Sequence, residues 1–194
     1  MDADCGWMED ACVKNACDDP VRLFRILIRD PSVPLNGPQH HIIVPLCLIT
    51  ATWSITRDFD LESYLNEAIS RASDVPQAVC GLWGCCGSAI GAGIYLSIMT
   101  RTGPVSKGKR WGQCNGCTSS ALSRISEIGG PRCCKRNAVL SILSACATAE
   151  DVLGVRMSPS ALGCTGYDDC RECIGSRCPF FPQKRFIDDR EEIT

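Results

Sequence analysis

The residues whose types and spacing most clearly predict chemistry are four cysteines near the end of the chain. They lie in the stretch CTGYDDCRECIGSRCP (164–179) with the spacing C-x5-C-x2-C-x4-C, and a proline follows the last one. Thiolates at such short intervals are typical of bound zinc or of an iron–sulfur cluster. Because the spacing is irregular, we interpret the stretch as half of a metal site. Its candidate ligands are Cys164, Cys170, Cys173 and Cys178.

Two adjacent cysteines, Cys133 and Cys134, are the second feature with predicted chemistry. They lie between Arg132 and the pair Lys135 and Arg136, just before a predicted helix. Cations and a helix N-terminus both stabilise a thiolate relative to its thiol. Both cysteines are therefore candidate metal ligands and candidate reactive thiols, and the three cations are candidate binders of an anionic substrate. The alternative is one buried cysteine and one exposed but inert one.

The chain contains only two histidines, His40 and His41, which excludes a histidine-rich metal site. They open an apolar segment, where a histidine is more often a structural group than a ligand. If the protein is a catalyst, His41 is the default general base, because imidazole titrates near neutral pH.

The middle of the chain offers further thiols, at Cys80, Cys85, Cys86, Cys114 and Cys117. The pair Cys114-x2-Cys117 could join Cys170-x2-Cys173 in a zinc site of two knuckles. The proline after Cys178 instead resembles the end of a ferredoxin-like run. Many thiols and few histidines also favour an iron–sulfur cluster, with [4Fe–4S] as the expected type and zinc as the alternative. Exposed thiols oxidise readily, so these features suggest an anaerobic or reducing setting.

The composition predicts one domain with a hydrophobic core. The chain has 194 residues, is 45% hydrophobic, carries a net charge of −2 and contains sixteen cysteines. That charge gives no global attraction to nucleic acid or acidic membranes. The acidic start lacks the pattern of a signal peptide, which favours thiol ligands in the cytoplasm over a secreted disulfide scaffold. The apolar run from Cys85 to Met99 is shorter than the roughly 20 residues of a membrane span, and predicts a buried helix.

The patterning around these residues predicts a mostly α-helical fold of four or five helices. Asp60 is the expected N-cap of one helix, which ends near Ser73, and Asn137 is the expected N-cap of another. The other predicted helices cover 88–99 and 118–128, and the last one covers 137–153. Segment 101–117 is predicted to be a polar loop, and the short segment 21–29 fits either a helix or a strand.

These elements divide the chain into three parts. Residues 1–39 are a leader and loop, and residues 1–20 are most simply flexible. Residues 40–181 form a single cysteine-rich helical domain, whose C-terminal segment folds back over it. Residues 182–194 form a charged tail.

Four segments carry recognisable motifs: VPLCLITATW (44–53), CGLWGCCGSAIGAGI (80–94), GGPRCCKR (129–136) and ECIGSRCPFF (172–181). Together they resemble the cysteine-rich domain-of-unknown-function family numbered 5714. That family occurs alone or beside methyltransferase and radical-enzyme modules in anaerobic prokaryotes, which implies a partner of that kind. The resemblance implies a set of motif cysteines but no settled activity. The set is Cys80, Cys86, Cys133, Cys134, Cys164, Cys173 and Cys178.

A second likeness rests on CGLWGCCGSA and PRCCKRNAVLSIL. These segments resemble the cluster-binding segments of iron–sulfur serine dehydratases and cysteine desulfidases. In those enzymes a [4Fe–4S] cluster acts as a Lewis acid on the substrate. The likeness implies Arg132 or Lys135 as the carboxylate binder and His41 as the base.

We therefore expect the C-terminal segment to close a metal site with Cys80, Cys86 and the Cys133–Cys134 pair. The first hypothesis is a cytoplasmic iron–sulfur carrier or accessory protein of one-carbon, sulfur or redox metabolism. The second is a cluster-dependent lyase or a thiol or sulfur transferase. The third is a zinc-stabilised interaction module.

Overall fold

The computed structural model describes residues 5–182 and shows one helical domain. The regular structure in this range is entirely helical, which confirms the predicted mostly α-helical class. Its eight α-helices are α1 (Gly6–Lys14), α2 (Pro20–Leu27), α3 (Gln39–Thr56), α4 (Leu61–Ser73), α5 (Val79–Leu82), α6 (Gly87–Met99), α7 (Lys109–Ile128) and α8 (Cys134–Leu153). A 3₁₀ turn, Gly175–Arg177, follows them. None of the helices in this range is long and apolar enough to cross a membrane.

Helix α3 lies at the centre of the packing because it is apolar on every side. All its residues from His40 to Thr52 are buried, and the helix contacts α1, α2, α4, α6 and α8. A helix without a polar face is stable only when neighbours surround it. Since α3 begins at Gln39, the fold carries both His40 and His41 into the interior.

Two glycines allow α6 to approach α3 closely. A Cβ atom on Gly91 would lie 2.7 Å from the backbone oxygen of His41 and 3.0 Å from Cδ of Pro45. A Cβ on Gly87 would overlap the imidazole ring of His41. This close approach brings the start of α6 against His41.

The N-terminal region differs from the predicted leader. Residues 6–27 form α1 and α2, and both helices bury apolar side chains in the core that surrounds α3. Asp19 caps α2 by accepting hydrogen bonds from the backbone N–H groups of Val21 and Arg22, at 3.0 and 2.9 Å. The prediction that residues 1–20 are flexible was wrong for α1, which presents only two buried residues, Met8 and Cys12, and so has little sequence periodicity. Segment 21–29 adopts the helical one of its two predicted alternatives, as α2. Residues 1–4 and most of the charged tail (183–194) lie outside the described residues.

Two helices begin earlier than predicted. The segment expected to be a loop contains the first turns of α7, which starts at Lys109 after Gly108 in a positive-φ conformation (+78°). Gly112 and Gly116 had hidden this helical pattern, since glycine disfavours a helix interior. Helix α8 starts at Cys134, so Asn137 is a buried residue within the helix rather than its N-cap. The prediction for α4 was correct, including Asp60 at the N-cap position.

The C-terminal segment folds back, as predicted, and is fastened to α2 through its N-cap residue Asp19 and through Arg25 in its last turn. Nη2 of Arg25 donates to Oγ of Ser160 at 2.5 Å and to the backbone oxygen of Ala161 at 2.8 Å. The N–H of Ser160 donates to Oδ1 of Asp19 at 3.1 Å. These bonds position residues 162–182 beside the beginning of α8.

The α3–α6 contact predicts how alanine substitutions at two glycines should differ. Gly91→Ala should lower the free energy of unfolding by about 1–3 kcal/mol, because overpacking forces the helices apart. For Gly116→Ala on α7, no atom lies within 4 Å of the new Cβ, so this substitution should raise the free energy of unfolding by about 0.5–1 kcal/mol. Urea unfolding monitored by circular dichroism measures both changes in free energy. Equal effects of the two substitutions would contradict this packing.

Candidate functional site

The adjacent residues Cys133 and Cys134 face two different groups of thiols. Burial raises the pKa of both thiols. A negative charge on Cys86 or Cys80 adds to this effect at Cys134, whereas charges on Cys170 and Cys178 add to it at Cys133. We call one set the inner thiol group and the other the outer thiol group. The inner group consists of Cys80, Cys86 and Cys134. The outer group, whose members line one pocket, consists of Cys133, Cys164, Cys170, Cys173 and Cys178.

The start of α8 fixes both thiols. The N–H of Cys134 donates to Oδ1 of Asn36 at 2.9 Å, which ties the helix to the loop before α3. Cys133 is the N-cap residue, and its Sγ accepts the N–H of Arg136 at 3.5 Å. Cys133 has an extended backbone (φ −139°, ψ 106°), whereas Cys134 is the first helical residue. The two neighbouring cysteines line different pockets.

In the inner group, Cys86 has a dedicated hydrogen-bond donor. Nδ2 of Asn137 donates to Sγ of Cys86 at 3.5 Å, and both residues are buried. Nε of Arg136 donates to Oδ1 of Asn137 at 3.3 Å and so sets the orientation of the amide. The sequence had suggested only a capping role for Asn137, because its contact with Cys86 joins residues 51 positions apart.

Two cavities adjoin the inner group. One has a volume of about 300 Å³ and is lined by His41, Cys80, Cys134 and Arg132, among others. The other is an open groove of about 710 Å³, lined by Cys80, Cys86 and Asn137 and by one face of α7. The smaller cavity therefore brings the candidate base His41 together with the candidate anion-binding residue Arg132 and the candidate reactive thiol Cys134, which lie about ninety positions further along the sequence.

The two histidines have different environments. Nδ1 of His40 lies 3.2 Å from the backbone oxygen of Gly37, and burial lowers its pKa to about 4, so His40 is a structural group. His41 is 7% exposed and lines the smaller cavity, and its Nδ1 has no hydrogen-bond partner within residues 5–182. Burial also lowers the pKa of His41, although the backbone of Val75 opposes this. His41 is consequently a neutral imidazole at neutral pH.

The three predicted anion-binding residues are separated by the fold. Arg132 is exposed at the mouth of both inner cavities. Lys135 lies on the other side, in the pocket of the outer group. Arg136 is 3% exposed, and its Nη2 donates to the backbone oxygens of Gly129 and Pro131, at 2.9 and 3.0 Å. Arg136 is therefore a positioning residue rather than a substrate binder.

The prediction that Cys133 and Cys134 are stabilised as thiolates is wrong, because the pKa of each thiol is raised rather than lowered. Burial raises the pKa of Cys133, and the N–H and charge of Arg136 offset this only in part. Burial likewise raises the pKa of Cys134, against the opposing effects of the Gly37 backbone and Arg132. Desolvation thus outweighs the cations and the helix terminus. Both groups are protonated thiols at neutral pH, which disfavours a free thiol nucleophile.

The predicted metal ligands lie in two groups instead of one constellation. Among the described residues, no three His, Cys, Asp or Glu side chains are placed so that they could hold a metal ion as they stand. Cys114 and Cys117 are buried on α7 and do not line the pocket of Cys170 and Cys173, so the two-knuckle arrangement is not formed. A metal at either group would require its thiols to rotate towards one another.

Other cysteines belong to the hydrophobic core. Cys12 and Cys47 are fully buried and Cys146 is 9% exposed. Burial raises the pKa of Cys12 and of Cys146 to about 12 and that of Cys47 well above its usual range. These thiols pack as small apolar side chains.

The model of a family of unknown function, DUF5714, matches residues 8–181 of the chain. No curated protein and no solved structure matches it. The match extends through α1 and α2, which agrees with their packing in the same domain as the thiol groups.

The environments of the thiols predict an order of alkylation in metal-free, reduced protein. Cys173 is exposed and should react with iodoacetamide first, whereas Cys12, Cys47 and Cys146 should react only after unfolding in urea. Cys133 and Cys134 should react slowly, because burial keeps them protonated. Peptide mapping by mass spectrometry at timed intervals measures the order. Faster modification of Cys134 than of Cys173 would contradict the pKa directions given above.

Proposed function

The chain belongs to DUF5714, a family of unknown function, and we propose that it is a cytoplasmic iron–sulfur protein. In this proposal the inner thiol group holds the cluster, and the protein serves as a carrier or as an accessory to a larger enzyme. The observation that best supports this proposal is the position of the three inner thiols, which line the smaller cavity and the open groove beside it. No disulfide joins cysteines in residues 5–182, as expected in a reducing compartment.

The donor set of the inner group fits an iron–sulfur cluster. Cys80, Cys86 and Cys134 supply three soft thiolate ligands, and the amide of Asn137 supplies an N–H···S bond. Such bonds and a buried setting tune the reduction potential of a cluster. Three protein ligands leave one position free, which the adjacent cavities would make accessible. A bound cluster would supply electron transfer or Lewis acidity at this position.

The raised pKa values favour metal binding over free thiol chemistry. A buried thiol reacts poorly with an electrophile, but a metal displaces the proton and holds the thiolate. Burial raises the pKa of Cys134, and a negative charge on Cys86 adds to this effect. Side-chain rotation towards the cavity would bring these two sulfurs, with that of Cys80, to a common centre.

An exposed apolar surface next to the inner group supports a partner protein. Leu82 and Trp83 are 77% and 68% exposed, and Leu82 lines the open groove together with Cys80. Large apolar side chains exposed together are typical of interaction sites. A methyltransferase or a radical enzyme is the partner class that the family resemblance implies.

Loss of an inner thiol should remove the cluster. We expect protein purified without oxygen to contain iron and acid-labile sulfide, and Cys86→Ala to lower both by at least about tenfold, since ligand loss opens the cluster to solvent and oxidation. Elemental analysis and a sulfide assay measure this. Cys17→Ser is the matched control, because serine can keep the hydrogen bond of Cys17 to the backbone oxygen of Asp19. Iron-free wild-type protein, or equal iron in both variants, would contradict the proposal.

A cluster-dependent lyase is a second candidate, favoured by the contents of the smaller cavity. Arg132 can bind a substrate carboxylate at its mouth, and the neutral imidazole of His41 can accept a proton. Nδ1 of His41 has no hydrogen-bond partner among the described residues, and because it is buried, the ring would have to turn towards the cavity to accept the proton. The cavity of about 300 Å³ suits a small amino acid or hydroxy acid.

Pyruvate formation tests this second candidate. With iron-loaded protein, L-serine would give pyruvate and ammonia, and L-cysteine with water would give pyruvate, ammonia and sulfide. Arg132→Gln should lower kcat/KM at least tenfold, since a hydrogen bond to a charged group contributes about 1.5–3 kcal/mol. Lys135→Gln is the control, because Lys135 lies in the other pocket. Iron-loaded protein that forms no pyruvate from either amino acid would exclude this candidate.

A further inference from the structure

The outer thiol group is a separate feature that the cluster proposal does not use. We propose that Cys133, Cys170, Cys173 and Cys178 bind one zinc ion, which fastens the C-terminal segment to the start of α8. This site is independent of the inner thiol group. It would be structural, because four protein thiolates leave no position free for a substrate.

The pocket of the outer group has the size of an ion site. Its volume is about 30 Å³, ten times less than that of the smaller inner cavity. Such a volume holds one or two water molecules or a single ion. Apolar side chains, including Leu162, Ile174 and Phe180, line much of the rest of the pocket.

Backbone N–H groups already point at two of the sulfurs. The N–H of Gly175 donates to Sγ of Cys173 at 3.4 Å, and that of Arg136 donates to Sγ of Cys133 at 3.5 Å. Gly175 has a φ of +59°, a conformation that glycine adopts without steric strain. N–H donors stabilise thiolates. The C-x2-C spacing of Cys170 and Cys173 is also the knuckle spacing of structural zinc sites.

The four proposed ligands are distinguished from the fifth thiol of the pocket. Cys170, Cys173 and Cys178 lie in two consecutive turns, because the N–H of Cys173 donates to the backbone oxygen of Cys170 at 3.0 Å and that of Cys178 donates to that of Gly175 at 2.9 Å. Cys133 faces these turns across the pocket. Cys164 lies outside the turns, and its N–H donates to the backbone oxygen of Phe180 at 2.8 Å, which closes the segment.

Two cations offset part of the negative charge of the site. Zinc with four thiolates carries two net negative charges, and the pocket is lined by Lys135 and Arg136 and by one carboxylate, that of Glu172. Nζ of Lys135 lies 3.1 Å from the position that a Cβ of Gly166 would occupy, so it reaches the C-terminal segment. Neither cation forms an ion pair with a carboxylate in the described part of the chain.

Zinc binding would also account for an otherwise weakly structured segment. Between residues 158 and 182 the only regular element is the turn Gly175–Arg177. The four sulfurs do not yet converge, and they would move inward as each thiol releases one proton and forms a bond of about 2.3 Å to zinc. The step involves no oxidation or reduction.

Metal analysis of the full-length chain tests the site. Protein reduced, supplied with zinc chloride and desalted should retain one zinc per chain, and Cys170→Ser and Cys178→Ser should each lower this at least tenfold. Cys164→Ser and Cys17→Ser are matched controls that should retain it. Zinc retained in Cys178→Ser, or lost in Cys164→Ser, would overturn the proposed ligand set.

The same variants separate this site from the proposed cluster. After purification without oxygen, Cys178→Ser should keep its iron while losing zinc, and Cys86→Ala should keep its zinc while losing iron. Loss of both metals in Cys178→Ser would indicate one shared site and overturn the inference. If a variant does not fold, cobalt(II) substitution of the wild-type protein tests whether four thiolates bind the metal. The absorption spectrum of tetrahedral cobalt bound by four thiolates is expected, and an octahedral spectrum would overturn the proposal.

Discussion

The site depends on the first turn of α8, where two neighbouring thiols are held in different surroundings. The amide oxygen of Asn36 accepts the N–H of Cys134, and Sγ of Cys133 accepts the N–H of Arg136. These two bonds fix the start and the rotation of the helix. Rotation in turn decides which side each cysteine faces. The separation into inner and outer thiol groups therefore follows from the geometry of one helix terminus.

The surroundings of these thiols are set by the approach of α6 to α3. Without a Cβ on Gly87 and Gly91, the start of α6 reaches the ring and backbone of His41. Cys86, the N-cap residue of α6, is thereby brought to Asn137. Burial at this junction raises the pKa of Cys134 and lowers that of His41. A region of neutral thiols and a neutral imidazole is suited to ligands that displace protons.

Much of the fold could be predicted from local patterns, whereas the arrangement of the thiols could not. The period of α4 and the glycine and proline after α7 indicated helices correctly, because those signals lie within a few residues. Helices α1 and α2 were missed as part of the domain, since their burial depends on α3. The grouping of Cys86 with Cys134 depends on contacts between residues about fifty positions apart. Similarly, the effect of burial on Cys133 exceeds that of its cationic neighbours, and sequence does not reveal burial of this degree.

We propose that the two thiol groups hold different metals at separate sites. Crystals of protein purified without oxygen, measured with X-rays at the iron and zinc absorption edges, distinguish two sites from one. Iron density is expected beside Cys86 and Cys134, and a distinct zinc peak between Cys170 and Cys178. A single peak bound by cysteines from both groups, or no metal at either group, would show that the two thiol groups are not separate metal sites.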